Sequence, residues 1–346
     1  MKRKMIYKLT EYSHGSGCGC KLSPGVLKEV LNTPNTTVFK SLIVGNETKD
    51  DAAVIDLDGE TAIVSTTDFF MPIVDDPFNF GAIAATNAIS DIYAMGAEPI
   101  MAIAILGWPI DKLPAKVASE VLNGGREVCH SAGIPLAGGH SIDAPEPIFG
   151  LAVTGKVPIN RIKKNKDGKD GDILYLTKPL GIGMVTTAQK KKIASESDMQ
   201  LAIKSMTTLN KIGKDLSKLD YVHALTDVTG FGLAGHLLEI CEGANLSAIL
   251  YEEKIPLFDF VPKYLEMDCS PGGAKRNWDT YGSKVKLKNT DFNMILSDPQ
   301  TSGGLLISIN PNFQNDFEKF MSANNLKLEP IGKLLQKNSS TAIEVL

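Results

Sequence analysis

The stretch from Phe80 to Met95 constrains this chain more than any other. Ile83, Ala84, Ala85, Ala88, Ile89, Ile92 and Met95 make it a mostly apolar helix, and Gly96 stops it. Asn87 and Asp91 lie four residues apart and so form one polar stripe along that helix. A buried carboxylate without a partner costs on the order of several kcal/mol. Asp91 is therefore expected to face a metal or a polar site. The plainer alternative is a satisfied buried polar pair.

Strands and helices alternate around this element. Ala52 to Leu57 and Thr61 to Thr67 read as strands joined at an Asp58-Gly59 turn. Pro99 to Leu106 and Ile148 to Val157 read as further strands, and Lys116 to Ala132 as a helix. Arg161 to Asp172 is basic, holds two glycines and carries little that is apolar, which makes it the best domain boundary. Beyond it come a strand at Ile173 to Thr177, helices at Met184 to Ile193, Leu201 to Leu216 and Leu233 to Cys241, and a strand at Leu305 to Ile309. The chain thus reads as an arm over 1–47, an α+β domain over 48–158 and a second α/β domain over 170–346, in keeping with 346 residues. The glycines of His14 to Lys21 make the arm a candidate mobile lid.

If the hairpin turns at Asp58-Gly59, residue 51 sits opposite residue 66. Asp50, Asp51 and Asp68 then meet at one end of the strand pair. Three carboxylates there repel unless a cation lies between them, and hard oxygen ligands with phosphates suit Mg²⁺. Solvated turn acids are the bland alternative. Asp227 precedes Val228-Thr229-Gly230-Phe231-Gly232, where glycines let a phosphate approach the backbone, although a helix cap would look the same. Gly138-Gly139-His140-Ser141 reads as a nucleotide-contacting loop. No P-loop and no dinucleotide-binding glycine motif is present.

The five cysteines are an odd count, which argues for reduced, cytoplasmic thiols. Cys18 and Cys20 flank Gly19, and Lys21 follows. A nearby ammonium favours thiolate, and glycine is expected to leave the sulfur accessible, so Cys18 reads as reactive. Cys129, Cys241 and Cys269 are scattered, so a structural zinc is not expected. A net charge of −4 gives no nucleic-acid surface, no apolar run is long enough to span a membrane, and the basic start lacks the apolar stretch of a secretory signal.

Several segments closely resemble the selenophosphate synthetase family, within the wider aminoimidazole-ribonucleotide-synthetase-like superfamily. They are Leu9 to Lys21, Gly45 to Val54, Ser65 to Pro72, Ala85 to Asp91, Ala137 to Asp143, Thr226 to Gly232 and Asp298 to Gly304. The resemblance implies that ATP, selenide and water become selenophosphate, AMP and orthophosphate, the selenophosphate serving selenocysteine and selenouridine synthesis. It implies Cys18 and Lys21 as catalytic residues, and Asp51, Asp91 and Asp227 as magnesium ligands. Lys21, Thr48, Lys49, Asp50, Asp68, Asp91, Gly139, His140 and Ser141 match nucleotide-binding positions. The implied fold is an α/β (α+β) two-domain chain whose N-terminal sheet pairs in a barrel-like homodimer interface. A related superfamily kinase, such as one for thiamine monophosphate, would explain the aspartates but leave Cys18 and Lys21 idle. A module that only binds nucleotide or delivers selenium is the non-enzymatic rival.

Overall fold

Asp58 and Gly59 do turn the chain, but through three loop residues rather than two. Asp58 Oδ1 accepts from the N–H groups of Glu60 at 3.0 Å and Thr61 at 2.7 Å, and Gly59 sits at φ 88°. Leu57 N–H closes the loop on the Thr61 carbonyl at 3.0 Å. The extra residue moves the register by one from that expected. Ala53 faces Ser65 and Asp56 faces Ala62. Since side chains alternate with period two, a shift of one decides which face they take. Ala62, Val64, Asp68 and Phe70 share the buried face, and half-buried Thr66 lies among them.

This hairpin belongs to a six-stranded sheet in the computed structural model, which describes residues 7–22, 24–32, 39–46, 49–337 and 341–346. The strands are β1 (Leu42–Val44), β2 (Ala53–Asp56), β3 (Thr61–Phe70), β4 (Glu98–Trp108), β5 (Leu136–Asp143) and β6 (Ile148–Pro158), in the order β1-β2-β3-β6-β4-β5. After α1 (Pro24–Leu31), helices α2 (Pro77–Ala94) and α3 (Ala115–Ala132) cover its inner face. Asp76 caps α2, its carboxylate accepting from Asn79 N–H at 2.8 Å, and Pro77 occupies the first turn. The two helices approach so closely that a Cβ on Gly81 would lie 1.8 Å from the Val121 carbonyl oxygen. From Phe80 to Ala94 every residue of α2 is buried. The outer face of the sheet is uncovered, with Ile55, Phe69, Ile103 and Ile142 all exposed.

The second sheet has seven strands: β7 (Ile173–Leu176), β8 (Val222–Asp227), β9 (Leu246–Leu250), β10 (Val285–Leu287), β11 (Leu305–Ile309), β12 (Gly332–Gln336) and β13 (Ile343–Val345), in the order β10-β13-β9-β12-β7-β11-β8. Its helices are α4 (Ile182–Lys190), α5 (Glu196–Met206), α6 (Ile212–Leu216), α7 (Gly232–Ala244), α8 (Val261–Glu266), α9 (Gly272–Tyr281), α10 (Asn293–Leu296) and α11 (Gln314–Ala323). The single helix expected over Leu201 to Leu216 is two. The hydroxyls of Thr207 and Thr208 bond back to the Ile203 and Lys204 carbonyls at 2.8 and 2.7 Å, and the helix ends there. Asn210, in the break, reaches Ser90 Oγ at 2.8 Å and so ties the second layer to α2.

The basic stretch from Arg161 to Asp172 is not a solvated linker. Lys163 is buried and donates to the Val222 carbonyl at 2.5 Å, while Asn165 N–H donates to Asp50 Oδ1 at 2.7 Å. It joins the two layers by hydrogen bonds to both.

Candidate functional site

The site lies where α2 meets β3, β8 and the arm. Helix α2 puts Asn87 and Asp91 one turn apart, and β3 brings Thr66 and Asp68 to them from its inner face. Asp227, at the end of β8, comes from the second layer. Asp51, just before β2, is bound across the layers, its Oδ1 accepting from Thr226 Oγ1 at 2.9 Å. Asp91 Oδ2 accepts from Thr66 Oγ1 at 2.5 Å. One oxygen each of Asp51 and Asp227, the Oδ2 atoms, is buried with no partner.

Burial, then the charges of Asp227 and Asp91, hold the Asp51 carboxyl well above its ordinary range. Burial, Asp227 and Asp68 do the same at Asp91. Asp227 is raised by burial too, against the Ser90 hydroxyl, His236 and Lys21. Mutually repelling acids with orphaned oxygens lack positive charge, and their all-oxygen donor set suits a hard cation such as Mg²⁺. Among the described residues no three His, Cys, Asp or Glu side chains close around one point. A cation here would need phosphate and water oxygens to complete its shell, as Mg²⁺ ordinarily does.

Beside the acids, Asn87 is a junction with a partner on both its polar atoms. Its Oδ1 accepts from Cys18 Sγ–H at 3.2 Å and Ser302 N–H at 2.7 Å, and its Nδ2 donates to Asp68 Oδ2 at 2.7 Å. Lys21 is open to solvent along its stem, but its ammonium lies 3.1 Å from the same Asp68 oxygen. Burial works against that charge, yet Asp68, Cys18 and Asp91 outweigh it and push the ammonium's pKa up. Cys18 N–H donates to Thr301 Oγ1 at 3.0 Å. Ser302 sits in the left-handed region at φ 51°, and its carbonyl is held by the buried Lys178 ammonium at 2.9 Å. Burial brings Lys178 down to about 7.

Two expectations about the arm change. Cys18 is 1% exposed, so its sulfur is not accessible. Nor is it favoured as thiolate here: burial and then Asp68 drive its pKa up, and Lys21 opposes them only partly because a carboxylate already neutralises it. The described residues of the arm also pack rather than hang free. Leu9 is fully buried, Leu9 N–H donates to the Asp75 carbonyl at 3.2 Å, and Gly17 N–H to the Met71 carbonyl at 3.0 Å.

The three acids expected at one strand end also part company. Asp50 turns to Asn165, and Lys49, at φ 55°, pairs with Glu242 at 3.0 Å, so both face the linker and α7. Thr48 lies outside the described residues. Gly139, His140 and Ser141 are not in a loop but on the exposed edge strand β5, where a Cβ on Gly139 would lie 2.2 Å from the Ala104 carbonyl oxygen. Asp68 faces Leu151, Leu151 faces Ala104, and Ala104 faces Gly139. Three strand spacings, about 14 Å, therefore separate Gly139 from Asp68 within one protomer. Sequence reasoning gave no site role to Thr66, Thr226, Thr301, Ser302 or Lys178. The first two were legible as residues flanking Asp68 and Asp227 on their strands.

Asp298 stands behind the arm. Its Oδ2 accepts from Gly183 N–H at 3.0 Å and Gln300 Nε2 at 2.7 Å, while its Oδ1 is buried and unpartnered. Burial raises it from 3.8 to about 7, against those bonds. A folded-state pKa above the unfolded one gives stability that is complete below about pH 4 and lost as pH rises through 7. Asp298→Asn removes that loss. Its stability relative to wild type is expected to rise by up to about 4 kcal/mol between pH 4 and 8. Urea unfolding of both proteins at several pH values measures it, and a gap independent of pH would refute the assignment.

Comparison with known proteins fits this geometry. Residues 49–157 match the family described as "AIR synthase related protein, N-terminal domain", and residues 169–344 match "AIR synthase related protein, C-terminal domain". The protein named "Selenide, water dikinase" from Aeromonas hydrophila is 58% identical over 339 residues, covering 98% of both chains. One of the same name from Sulfurovum sp. is 57% identical over 340 residues, covering 98% of this chain and 99% of that protein. Among solved structures, a thiamine-monophosphate kinase from Aquifex aeolicus superposes with a TM-score of 0.64 at 16% identity, covering 93% of this chain and 94% of that one. Another, from Stenotrophomonas maltophilia, gives 0.64 at 17%, covering 88% and 91%. The kinases are alike in fold; the dikinases are alike in sequence throughout.

Proposed function

The chain belongs to the selenide, water dikinase family, and on that premise we propose how its residues divide the work of making selenophosphate from ATP, selenide and water. The observation that carries the proposal is the convergence of the Cys18 thiol and the Lys21 ammonium on Asn87 and Asp68, beside the acids Asp51, Asp91 and Asp227. A thiamine-monophosphate kinase needs neither Cys18 nor Lys21, and no residue of a mere carrier needs acids held this far from their ordinary range.

Phosphoryl transfer is mostly positioning and charge neutralisation. Asp51, Asp91 and Asp227 would hold Mg²⁺, which when bound supplies the positive charge that lets phosphates enter an acidic cleft. Lys21, once drawn from Asp68, faces the phosphates. Asn87 keeps Cys18 beside them, and the packed arm keeps water from the thiol. The Asp51–Thr226 bond and the Asn87–Ser302 bond make the site depend on both layers being docked.

The homodimer belongs to the same proposal. An uncovered sheet face bearing Ile55, Phe69, Ile103 and Ile142 suits burial against a second copy. It also gives Gly139, His140 and Ser141 a use, since an edge strand too far from its own acids can serve the neighbouring copy's nucleotide. No helix among the described residues is long and apolar enough to cross a membrane, and all five cysteines are free. Reduced thiols support a cytoplasmic setting.

Phosphorus NMR of the protein with MgATP and selenide is expected to give selenophosphate, AMP and orthophosphate in equal amounts, with AMP appearing only when selenide is present. Sedimentation is expected to give twice the protomer mass of 37.2 kDa. ADP as the end product, or ATP consumed at the same rate without selenide, would sink the reading.

A further inference from the structure

The buried thiol raises a question of access. Its sulfur faces Asn87 and the acids, where the nucleotide is proposed to sit. Phosphoryl transfer wants the attacking and leaving atoms on opposite sides of phosphorus. A selenium nucleophile therefore has to arrive from the side away from the nucleotide.

A cavity whose walls hold none of the acids lies against the arm at Ser16 and Gly19, on either side of Cys18 in the chain. It offers about 50 Å³ to water-sized spheres, is partly open to solvent, and its walls include Ser16, Gly19, Thr187, Lys190, Pro271 and Thr301. Thr301 is the residue whose hydroxyl takes the Cys18 N–H at 3.0 Å, so one residue of the cavity wall touches Cys18, whose sulfur bonds Asn87. At about 10–15 Å³ per water by this measure the space holds some three to five waters, enough for a two-atom anion and too little for a nucleotide.

The charges around the cavity are opposite to those of the acidic cleft. Lys190 Nζ lies 2.7 Å from the Gly15 carbonyl and Arg276 Nη2 lies 3.0 Å from the Gly19 carbonyl, one on each side of Cys18 along the arm. The same two cations act on the Cys20 sulfur, which also receives the backbone N–H groups of Ser16 and Met71. Burial outweighs these four groups and still raises the Cys20 thiol above its ordinary range, so the positive charge near the cavity is that of Lys190 and Arg276 themselves. Glu146 is the one acid acting on Lys190, and it is bridged to His14 at 2.9 Å.

We propose that this cavity, with Lys190 in its wall and Arg276 bonded to its wall residue Gly19, is the port through which a hydrogen chalcogenide anion reaches Cys18. The port rests on the selenophosphate reading and deepens it. Hydrogen selenide is singly charged at neutral pH, so two cations without a bound metal suffice to concentrate it. MgATP enters from the acidic side and does not pass them. The arrangement separates two anions that would otherwise compete for one cleft.

The test uses steady-state rates of AMP formation with selenide and ATP varied in turn. Lys190→Met and Arg276→Gln are each expected to raise the KM for selenide about fivefold, and the double variant by more than tenfold. The KM for ATP is expected to stay within twofold. Lys190→Arg is expected to return the selenide KM to near wild type, and Lys254→Met, remote from the cavity, to leave all constants unchanged. A double variant with the wild-type selenide KM would overturn the port, as would an equal rise in the KM for ATP. Wild-type protein that makes no selenophosphate would instead overturn the reading on which the port rests, so the two failures are distinguishable.

Discussion

Asp227→Asn is expected to abolish turnover while making the metal-free protein more stable. Both effects follow from one observation: Asp227 is the strongest charge acting on Asp51 and on Asp91, after burial itself. Removing it relieves two buried carboxylates at once. At an effective dielectric near 20, a pair of charges a few ångströms apart is worth on the order of a few kcal/mol. Discounted for partial protonation, the gain is about 1–3 kcal/mol, or a rise in melting temperature of several degrees. The same change deletes an oxygen of the proposed metal site, whose other ligands are sparse, so AMP formation is expected to fall by about a thousandfold or more. Melting in chelator and in MgATP separates the two. Wild type is expected to gain strongly from MgATP and the variant little. A variant that is less stable in chelator, or that gains as much from MgATP, would show that the acids are not a cation site.

That pair of effects was partly legible in the residues alone. The polar stripe at Asn87 and Asp91 on an apolar helix announces a buried polar site, because nothing else tolerates a carboxylate there. Period-two alternation then identifies which face of a strand Thr66 and Asp68 take, but only if the register is known. The extra loop residue at Glu60 shifted that register by one, and Asp50, which lies ahead of the paired strand, is held by Asn165 instead. The tie from Asp51 to Thr226 was not legible, since nothing local relates residues so distant in the chain. The same holds for Asn87 with Ser302 and for the Lys178 ammonium on the Ser302 carbonyl. Glycine content misled at β5 and in the arm. Glycine permits mobility and turns, but at Gly139 it answers a close approach of Ala104, and at Gly17 a docked backbone at φ 49° against Ile73 and Thr301.

Cys18→Ser carries the other large expected effect, and the structure makes it a clean substitution. A serine hydroxyl can give Asn87 Oδ1 the same hydrogen bond that the thiol gives at 3.2 Å, so the arm is expected to stay seated and the melting temperature to change little. What is lost is the soft, ionisable sulfur. Selenophosphate formation is expected to fall by three orders of magnitude or more. Lys21→Met is expected to cost as much, with a rise in the KM for ATP that Cys18→Ser lacks, since on the proposed reading the ammonium holds phosphate charge and the neutral thiol does not. Because burial and Asp68 disfavour the thiolate in the packed arm, Cys18 in the resting wild type is expected to resist alkylation by iodoacetamide until selenide and MgATP turn over. Rapid alkylation at rest would mean that the arm is open. Full turnover by Cys18→Ser would remove selenium handling from this cysteine and return the chain to the reading of an ordinary superfamily kinase.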